Sequence, residues 1–464
     1  MKKKILLLTD DIRLNSGIST MAREFVMGTV DKYDWVQLAA AVKHPDQGKK
    51  VSVSKDVAKH TGVEDASVFL YPSNGYGDQT TLRQLLKIEN PDLILHFTDP
   101  RYWIWLYEME AEVRRQCPLM YYTIWDNIPD PLYNRSYYES CDQLACISKL
   151  TYGIVKRLTA RTDKPTWVPH EDWQISYVPH GINPKTFYPT KTQNLKLKRR
   201  ILGDKDYKFI VVWNNRNIKR KQPSDVIRAY KLFCDKLPIK DKNRACLLMH
   251  TNPMDNNGTD LQAVKDVICP SYDVIFSQNK LSQPELNDMY NFADVTINLA
   301  SNEGFGLTTA ESLMAGTPVV LNVTGGLQDQ IGLNFDRNLI EAEDYVDLET
   351  LGDRKVFNDE KFKTLGFGKW AEPVWPALDT LNGSIATPYI FDSRASVEDA
   401  ATQLFKFYKY GRDECKKRGQ IGREWMIQEA GLTSDNMNEQ MKNAIDTTIE
   451  KWTPRKRYNL YKVN

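Results

Sequence analysis

The sequence predicts an α/β protein built from two doubly wound Rossmann-like domains facing across a cleft. Three observations carry this. The chain has 464 residues, and one hydrophobic core rarely grows past about 300 residues, so two domains are expected. Short apolar runs alternate with stretches of helical period, the pattern of parallel strands joined by helical crossovers. The alternation then restarts after Gly181-Ile-Asn-Pro-Lys-Thr-Phe-Tyr-Pro, which reads as the end of the first domain.

In the first half, strands are expected at Ile5 to Leu8, Val36 to Val42, Asp92 to His96, Leu119 to Ile124 and Gln143 to Ser148. Helices are expected at Gly17 to Val30 and Gln79 to Glu89. The second half predicts strands at Phe209 to Trp213, Ala245 to His250, Val274 to Phe276, Val295 to Leu299 and Pro318 to Asn322. Helices fall at Ser224 to Leu237 and Leu307 to Ala315, and the stretch Ser396 to Trp452 is largely helical. The domain boundaries follow: 1–188 for the first domain, 189–205 for a linker, 206–432 for the second domain with an insertion at about 335–385, and 433–464 for a C-terminal helix and basic tail. Open parallel sheets bind ligands at the carboxyl ends of their strands, so the cleft is the expected site.

Composition sets limits. The formal net charge is +2, so overall charge does not announce a nucleic-acid binder. Its distribution is uneven. Lys191 to Lys221 holds eleven Lys/Arg against two Asp, and Lys451 to Asn464 holds five Lys/Arg and no acid. Two readings stand for these stretches: a solvated surface, or a path for a polyanion. Asp336 to Lys361 is acidic, with nine acids against four bases. The seven cysteines are odd in number and scattered, without CxxC pairs, so neither a disulfide frame nor a zinc site is expected. Reduced thiols fit a cytoplasmic location. The apolar run Ile5 to Leu8 meets Asp10 and Asp11, too soon for a signal peptide or a membrane span.

The segment Asn298-Leu-Ala-Ser-Asn-Glu-Gly-Phe-Gly-Leu-Thr-Thr-Ala-Glu carries the strongest chemistry. A buried strand ends, a Gly-containing loop follows and a helix begins. Gly304 and Gly306 let the backbone approach a ligand, and N–H groups at the helix start hold phosphate or sugar oxygens. Glu303 lies in the loop, and Glu311, eight residues on, can accept two hydroxyls of one ribose. The bland alternative is a helix-start charge beside an exposed Glu. The companion is Val211-Val-Trp-Asn-Asn-Arg-Asn-Ile-Lys-Arg-Lys. Arg216 and Lys221 follow the second domain's first strand and can clamp a diphosphate, Arg as a planar fork and Lys as a point charge. Such a clamp neutralises charge on a departing nucleoside diphosphate. A solvated basic loop is the competing reading.

These segments resemble the family-4 retaining glycosyltransferases of the GT-B fold. Glu303 and Glu311 match the family's Glu-x7-Glu element, and Arg216 and Lys221 match its Arg-x4-Lys element. Weaker matches are Ala145-Cys-Ile-Ser, Val178-Pro-His-Gly-Ile-Asn, the stretch from Val274 to Val295 and the pair Gly325-Gly326. The resemblance implies that Arg216, Lys221 and Glu303 are catalytic. It implies donor binding by Glu311 at the ribose, by Glu303 and the N–H groups of Gly304, Phe305, Gly306 and Leu307 at the sugar, and by Gly17 at the first strand–helix loop. The co-substrate would be a nucleoside-diphosphate sugar, UDP-linked, with no cofactor and no metal.

Two departures stand out. Where many relatives carry a His in the first domain, this chain reads Tyr122-Thr-Ile-Trp-Asp126. A bulky Trp125 suits a donor lacking the C6 hydroxymethyl, a pentose such as arabinose; equally, Trp125 packs and Asp126 takes the polar contact. Trp125, Asp126 and His96 are the candidate sugar or acceptor contacts. The second departure is the insertion, read either as a functional loop or as a surface excursion with its own small core.

For the acceptor, Thr9-Asp-Asp-Ile-Arg-Leu-Asn-Ser-Gly-Ile-Ser-Thr and His96-Phe-Thr-Asp-Pro-Arg-Tyr-Trp are similar to glycosyltransferases encoded by T4-like bacteriophages, some of which modify hydroxymethylcytosine in DNA. That resemblance implies a double-stranded DNA acceptor, a flipped base and host cytoplasm. Polysaccharide, lipid and small-molecule acceptors remain open. So do two other classes on the same fold, a sugar-nucleotide epimerase or phosphorylase and a non-catalytic binder of sugar nucleotides.

Overall fold

The computed structural model describes residues 2–41, 43–165, 167–347 and 364–456. The chain forms two compact units. The first comprises residues up to Trp125, Asp130–His180 and the chain from Ser434 on; the second comprises Asp126–Pro129 and Gly181–Thr433.

The first unit is an eight-stranded sheet. Its strands are β1 (Lys3–Asp10), β2 (Tyr33–Ala40), β3 (Val51–Ser52), β4 (Val68–Pro72), β5 (Leu93–Phe97), β6 (Leu119–Thr123), β7 (Gln143–Cys146) and β8 (Ile175–Tyr177), in the order β3-β4-β2-β1-β5-β6-β7-β8. All neighbours are parallel except β3 against β4. Ile5, Leu6, Leu7 and Leu8 of β1 are all buried, as a strand covered on both faces by helices requires. Each such side chain contributes roughly 1.5–3 kcal/mol relative to exposure. Helix Gly17–Thr29 starts where Ser16 Oγ accepts from the Ser19 N–H at 3.1 Å, and helix Gln79–Glu89 where Asp78 accepts from Thr81 at 2.8 Å.

The second unit continues the numbering: β9 (Phe209–Asn214), β10 (Ala245–His250), β11 (Asp273–Ser277), β12 (Val295–Asn298) and β13 (Val319–Asn322). Then come β14 (Asn334–Phe335), β15 (Asn338–Leu339), β16 (Leu365–Gly366), β17 (Ala371–Val374), β18 (Pro376–Asn382) and β19 (Ile390–Ala395). The main sheet is parallel and runs β11-β10-β9-β12-β13-β17. Strand order reverses between β9 and β12, where Val211 pairs with Val295 and Val212 with Thr296. Loops leaving adjacent strands toward opposite sides open a crevice at such a point, the favoured ligand position in this architecture. Val211, Trp213, Val226, Tyr230, Leu247 and Ile297 form the centre of this unit's core, all fully buried.

The structure draws the boundaries differently from the sequence. Residues 189–205 are not a free linker: they contain helix Leu195–Leu202, inside the second unit, with Thr190 N–H donating to Asn291 Oδ1 at 2.7 Å and Arg200 pairing with Glu285. The crossover comes earlier, at Gly181, and helix Ser434–Lys451 packs in the first unit, where Tyr33 donates to Asp446 at 2.7 Å. The region 335–385 is only partly an excursion. β14, β15 and β16 make a small antiparallel sheet, but β17 is the sixth strand of the main sheet, with Val319 opposite Ala371. Trp370 anchors this region, donating to Gln330 O at 2.9 Å and packing its ring 4.6 Å from that of Trp425. Residues 348–363, which include the acidic stretch from 348 to 361, and residues 457–464 of the basic tail lie outside the described residues.

Candidate functional site

In the second unit, the loops after β9 and β12 are those that flank the reversal of strand order. They are tied together by backbone: Ser301 N–H donates to Arg220 O at 2.8 Å. Within this junction Lys221 and Glu303 form an ion pair, both nearly buried. Arg220 Nη1 donates to Asn302 O at 2.7 Å and lies 3.8 Å from both Glu303 Oε2 and Asp126 Oδ2. Burial and the charge of Arg220 push the Lys221 ammonium down, while Asp126 pulls it up. A buried cation in this setting depends on its carboxylate partners to remain charged.

Gly304, Leu307 and Thr308 are half-exposed, so the loop presents backbone to solvent beside Glu303. Gly306 sits at φ 91° as the N-cap of helix Leu307–Met314, and among the described residues no side chain caps that helix. Its first N–H groups are therefore left for a ligand. Gln330 braces the loop from behind, donating to Phe305 O at 2.6 Å and to Gly306 O at 3.0 Å. The chain turns tightly behind it. Gly325, at φ 48°, has no room for a Cβ, which would fall 2.1 Å from Glu303 O, and Gly326 N–H donates to that same oxygen at 2.7 Å.

Glu311 lies on the same helix, half-buried. It accepts from Tyr290 at 2.9 Å, and Tyr290 in turn accepts from Asn214 Nδ2 at 2.8 Å. Burial pushes the Glu311 carboxyl up to about 7, against the hydrogen bond from Tyr290, which lowers it. Tyr290 and Asn214 were not singled out by sequence, although Tyr290 sits in a stretch that matched the family.

Arg216 is placed apart from the Lys221–Glu303 pair. Its side chain is 63% exposed and pairs with Asp255 through two contacts of 2.7 and 3.1 Å. Its neighbour Asn217 is buried and fixes the loop by donating to Pro253 O and Thr259 O. Of the clamp expected from sequence, Lys221 is thus brought to Glu303, and Arg216 to a carboxylate that a diphosphate would have to displace. Arg220, the cation between Glu303 and Asp126, was missed: it lies in the run Lys219-Arg220-Lys221, where spacing alone does not say which charge turns inward.

Asp126 belongs to the short segment Asp126–Pro129, which packs in the second unit. Phe391 N–H donates to Asn127 Oδ1 at 3.0 Å and to Ile128 O at 2.8 Å. The other candidates lie in the first unit. Gly17 is exposed at the helix start following β1. Trp125 packs edge-on against Tyr133 at 5.7 Å. His96, expected as a sugar or acceptor contact, is an interior residue instead. It is 0% exposed, its Nδ1 is 2.7 Å from Tyr107 Oη, and it stacks on Tyr121, with burial pushing it down to about 3. Strand β5 is covered on both faces, so a His in it points inward. Asp11 is engaged by Arg13, while Asp10 at the end of β1 keeps one buried carboxylate oxygen without a partner among the described residues.

Comparison with known proteins bears on the fold and on the second unit's sequence. The family described as "Glycosyl transferases group 1" matches residues 196–361. D-inositol 3-phosphate glycosyltransferase of Thermobispora bispora is 27% identical over 173 residues, 37% of this chain and 40% of that protein. Alpha-monoglucosyldiacylglycerol synthase of Acholeplasma laidlawii is 25% identical over 193 residues, 40% of this chain and 43% of that protein. The chain therefore spans about two-fifths of the length of these curated relatives. Among solved structures, Anabaena HepE, crystallised with UDP and glucose, superposes with a TM-score of 0.62 at 12% identity, covering 96% of this chain and 100% of its own. Sucrose-phosphate synthase from Thermosynechococcus elongatus does so with a TM-score of 0.63 at 13% identity, covering 97% and 100%. Residues 196–361 are thus similar to the group 1 glycosyl transferases, and the chain takes the GT-B fold of these solved structures.

Proposed function

We infer that this protein transfers a sugar from a nucleoside-diphosphate donor to a hydroxyl acceptor with retention at the anomeric carbon. The observation that carries this reading is the junction of the β9 and β12 loops. There the buried Lys221–Glu303 pair adjoins the uncapped start of helix Leu307–Met314, the helix that carries Glu311. Arg216 and Lys221 take the diphosphate, Glu311 the ribose hydroxyls, and Glu303 with the N–H groups of Gly304 to Leu307 the sugar. The bond from C1 to the diphosphate oxygen breaks, the acceptor oxygen bonds to C1 on the same face, and the acceptor proton passes to the departing phosphate. Cations aimed at that phosphate stabilise the charge that develops there, an effect worth about 10²- to 10³-fold per group in other oxyanion sites. With Arg216, Arg220 and Lys221 supplying positive charge, the transfer runs without a metal.

The donor is UDP-linked, a reading supported by the UDP-bound structural relative. Trp125 favours a pentose. The acceptor is hydroxymethylcytosine in DNA, supported by the resemblance of residues 9–20 and 96–103 and by the basic stretches of the sequence. The names of the curated relatives point to other hydroxyl acceptors, D-inositol 3-phosphate and the diacylglycerol that a monoglucosyldiacylglycerol synthase glucosylates.

The test is a donor-by-acceptor assay in the presence of EDTA. UDP-glucose, UDP-xylose, UDP-arabinose and GDP-mannose are each offered with cytosine DNA, hydroxymethylcytosine DNA, inositol 3-phosphate and diacylglycerol. A mass increase confined to hydroxymethylated DNA supports the whole reading. Transfer to another acceptor overturns the DNA assignment and keeps the transferase. Glucose outrunning both pentoses overturns the role of Trp125. No nucleotide release from any pair overturns the transferase.

A further inference from the structure

The first unit carries a groove that transfer chemistry does not use. It encloses about 750 Å³ and is lined in part by Asp142 and Gln174, which lie just before β7 and β8. It therefore opens at the amino edge of the first sheet, opposite the carboxyl ends at which an open sheet binds its substrate. Its floor is Arg114, buried and held by Asp142 at 2.7 Å and Glu110 at 3.0 Å. The chain after helix Ser434–Lys451 runs along this floor, pinned where Arg455 N–H donates to Arg114 O at 2.9 Å.

The charges on the groove are not balanced. Lys451, Arg455 and Lys456 are exposed along it. Of the acids nearby, Asp142 and Glu110 are paired with Arg114, with Arg455 Nη2 3.7 Å from Glu110, and Glu171, which accepts from the neutral Trp173 Nε1 at 2.9 Å, keeps its charge against the three exposed cations. The same groove is lined by two half-buried rings: Trp173, with the Lys451 ammonium 5.9 Å from its ring centroid, and Trp452, whose indole nitrogen is buried with no partner among the described residues.

We propose that this groove is a second binding site, which anchors a single strand of nucleic acid. Lys451, Arg455 and Lys456 neutralise phosphates of the backbone, and Trp173 and Trp452 offer stacking faces to its bases. Basic side chains interleaved with aromatic rings along a concave track are the chemistry that holds single strands without reading their sequence. A lipid surface is served by the opposite shape, a convex amphipathic face. The site needs neither a sugar donor nor a hydroxymethyl group, so it goes beyond the acceptor assignment above.

The experiment measures fluorescence anisotropy of a labelled twelve-nucleotide oligo-dT titrated with the full chain, at several salt concentrations. Three neutralised phosphates give a slope of log K against log salt of about −2, at roughly 0.7 per phosphate of a single strand. Lys451→Glu/Arg455→Glu/Lys456→Glu is expected to weaken binding at least tenfold at an unchanged melting temperature. Trp173→Ala is expected to weaken it at least fivefold at an unchanged salt slope, the signature of lost stacking. Charge reversal without effect overturns the proposal, as does Trp173→Ala binding like wild type. Capture by phosphatidylglycerol vesicles with no affinity for oligo-dT also overturns it, in favour of a membrane contact. Because oligo-dT is neither donor nor acceptor, failure of the transferase reading leaves this result intact.

Discussion

The hydroxyl of Tyr290 donates to Glu311 at 2.9 Å while accepting from Asn214 Nδ2 at 2.8 Å, so a residue of β9, a residue of helix Gln283–Phe292 and a residue of helix Leu307–Met314 share one relay. The relay fixes where the Glu311 carboxylate points and opposes the effect of its burial. Tyr290→Phe removes the donor and leaves the ring. The donor KM is expected to rise about tenfold at pH 7, the value of one hydrogen bond to a charged group, with kcat little changed. Steady-state kinetics on the donor check this.

The same carboxyl sets a pH dependence. Its ordinary value is 4.5 and burial raises it to about 7. A raised carboxyl stabilises the fold below its unfolded value, and that contribution is lost as pH rises through about 7, where the buried group must ionise. Glu311→Gln, neutral throughout, is therefore expected to raise the melting temperature relative to wild type at pH 8 and not at pH 4. Donor binding is expected to run the other way, because ribose hydroxyls would donate best to the ionised form: KM falls as pH rises through about 7. In Tyr290→Phe the midpoint moves to higher pH. Melting curves and a pH series of KM read both signs.

Lys221 and Glu303 are paired inside the loop junction, and their separate removal differs from their joint replacement. Glu303→Gln leaves a buried ammonium without its carboxylate, a change that costs about 3–5 kcal/mol in other buried pairs. Its melting temperature is expected to fall clearly. Lys221→Met/Glu303→Leu is expected to recover most of that loss while remaining at least a hundredfold below wild type in transfer. Recovery of activity by the double variant would show the pair to be structural only.

Arg216 is expected to act on the ligand and not on the fold. Exposed ion pairs contribute about 0–1 kcal/mol, so Arg216→Ala leaves the melting temperature nearly unchanged while slowing transfer tenfold or more. Arg216→Lys does not rescue it, because the planar fork is lost. Asp255→Asn releases the guanidinium from its present partner and is expected to lower the donor KM a few-fold. A higher KM in Asp255→Asn would mean that the pair pre-orders Arg216.

Gly325→Ala places a Cβ 2.1 Å from the carbonyl oxygen of Glu303, in a backbone region that suits glycine. The Glu303 loop must shift, at about 1–3 kcal/mol for overpacking of this kind. UDP binding by calorimetry is expected to weaken together with stability. Unchanged UDP affinity would place the ligand elsewhere.

Much of the fold was legible in the sequence because local patterns state it directly. Buried runs such as Ile5 to Leu8 and Val211 to Trp213 have no use except as covered strands. Helix Gln79–Glu89 begins and ends where its cap residues, Asp78 and Asn90, put it. Around the candidate site, the strand, loop and helix that carry Glu303 and Gly304–Leu307 were legible because their residue types and spacing already imply a strand–loop–helix cradle. What the tertiary structure alone decided depends on contacts between residues far apart in the chain. Tyr290 meets Glu311 and Asn214 through packing, and Arg220 faces Glu303 and Asp126 by the turn of one short helical segment. His96 looks polar in sequence, but β5 turns it into the core. Ala371–Val374 reads as an inserted loop, yet it completes a sheet whose edge was open at β13. Residues 189–205 read as a linker because a Pro-containing stretch runs into a basic segment there, yet they fold onto the second unit. Pattern and charge report what a segment can bury or expose; which partner it finds is settled only when the strands have been ordered.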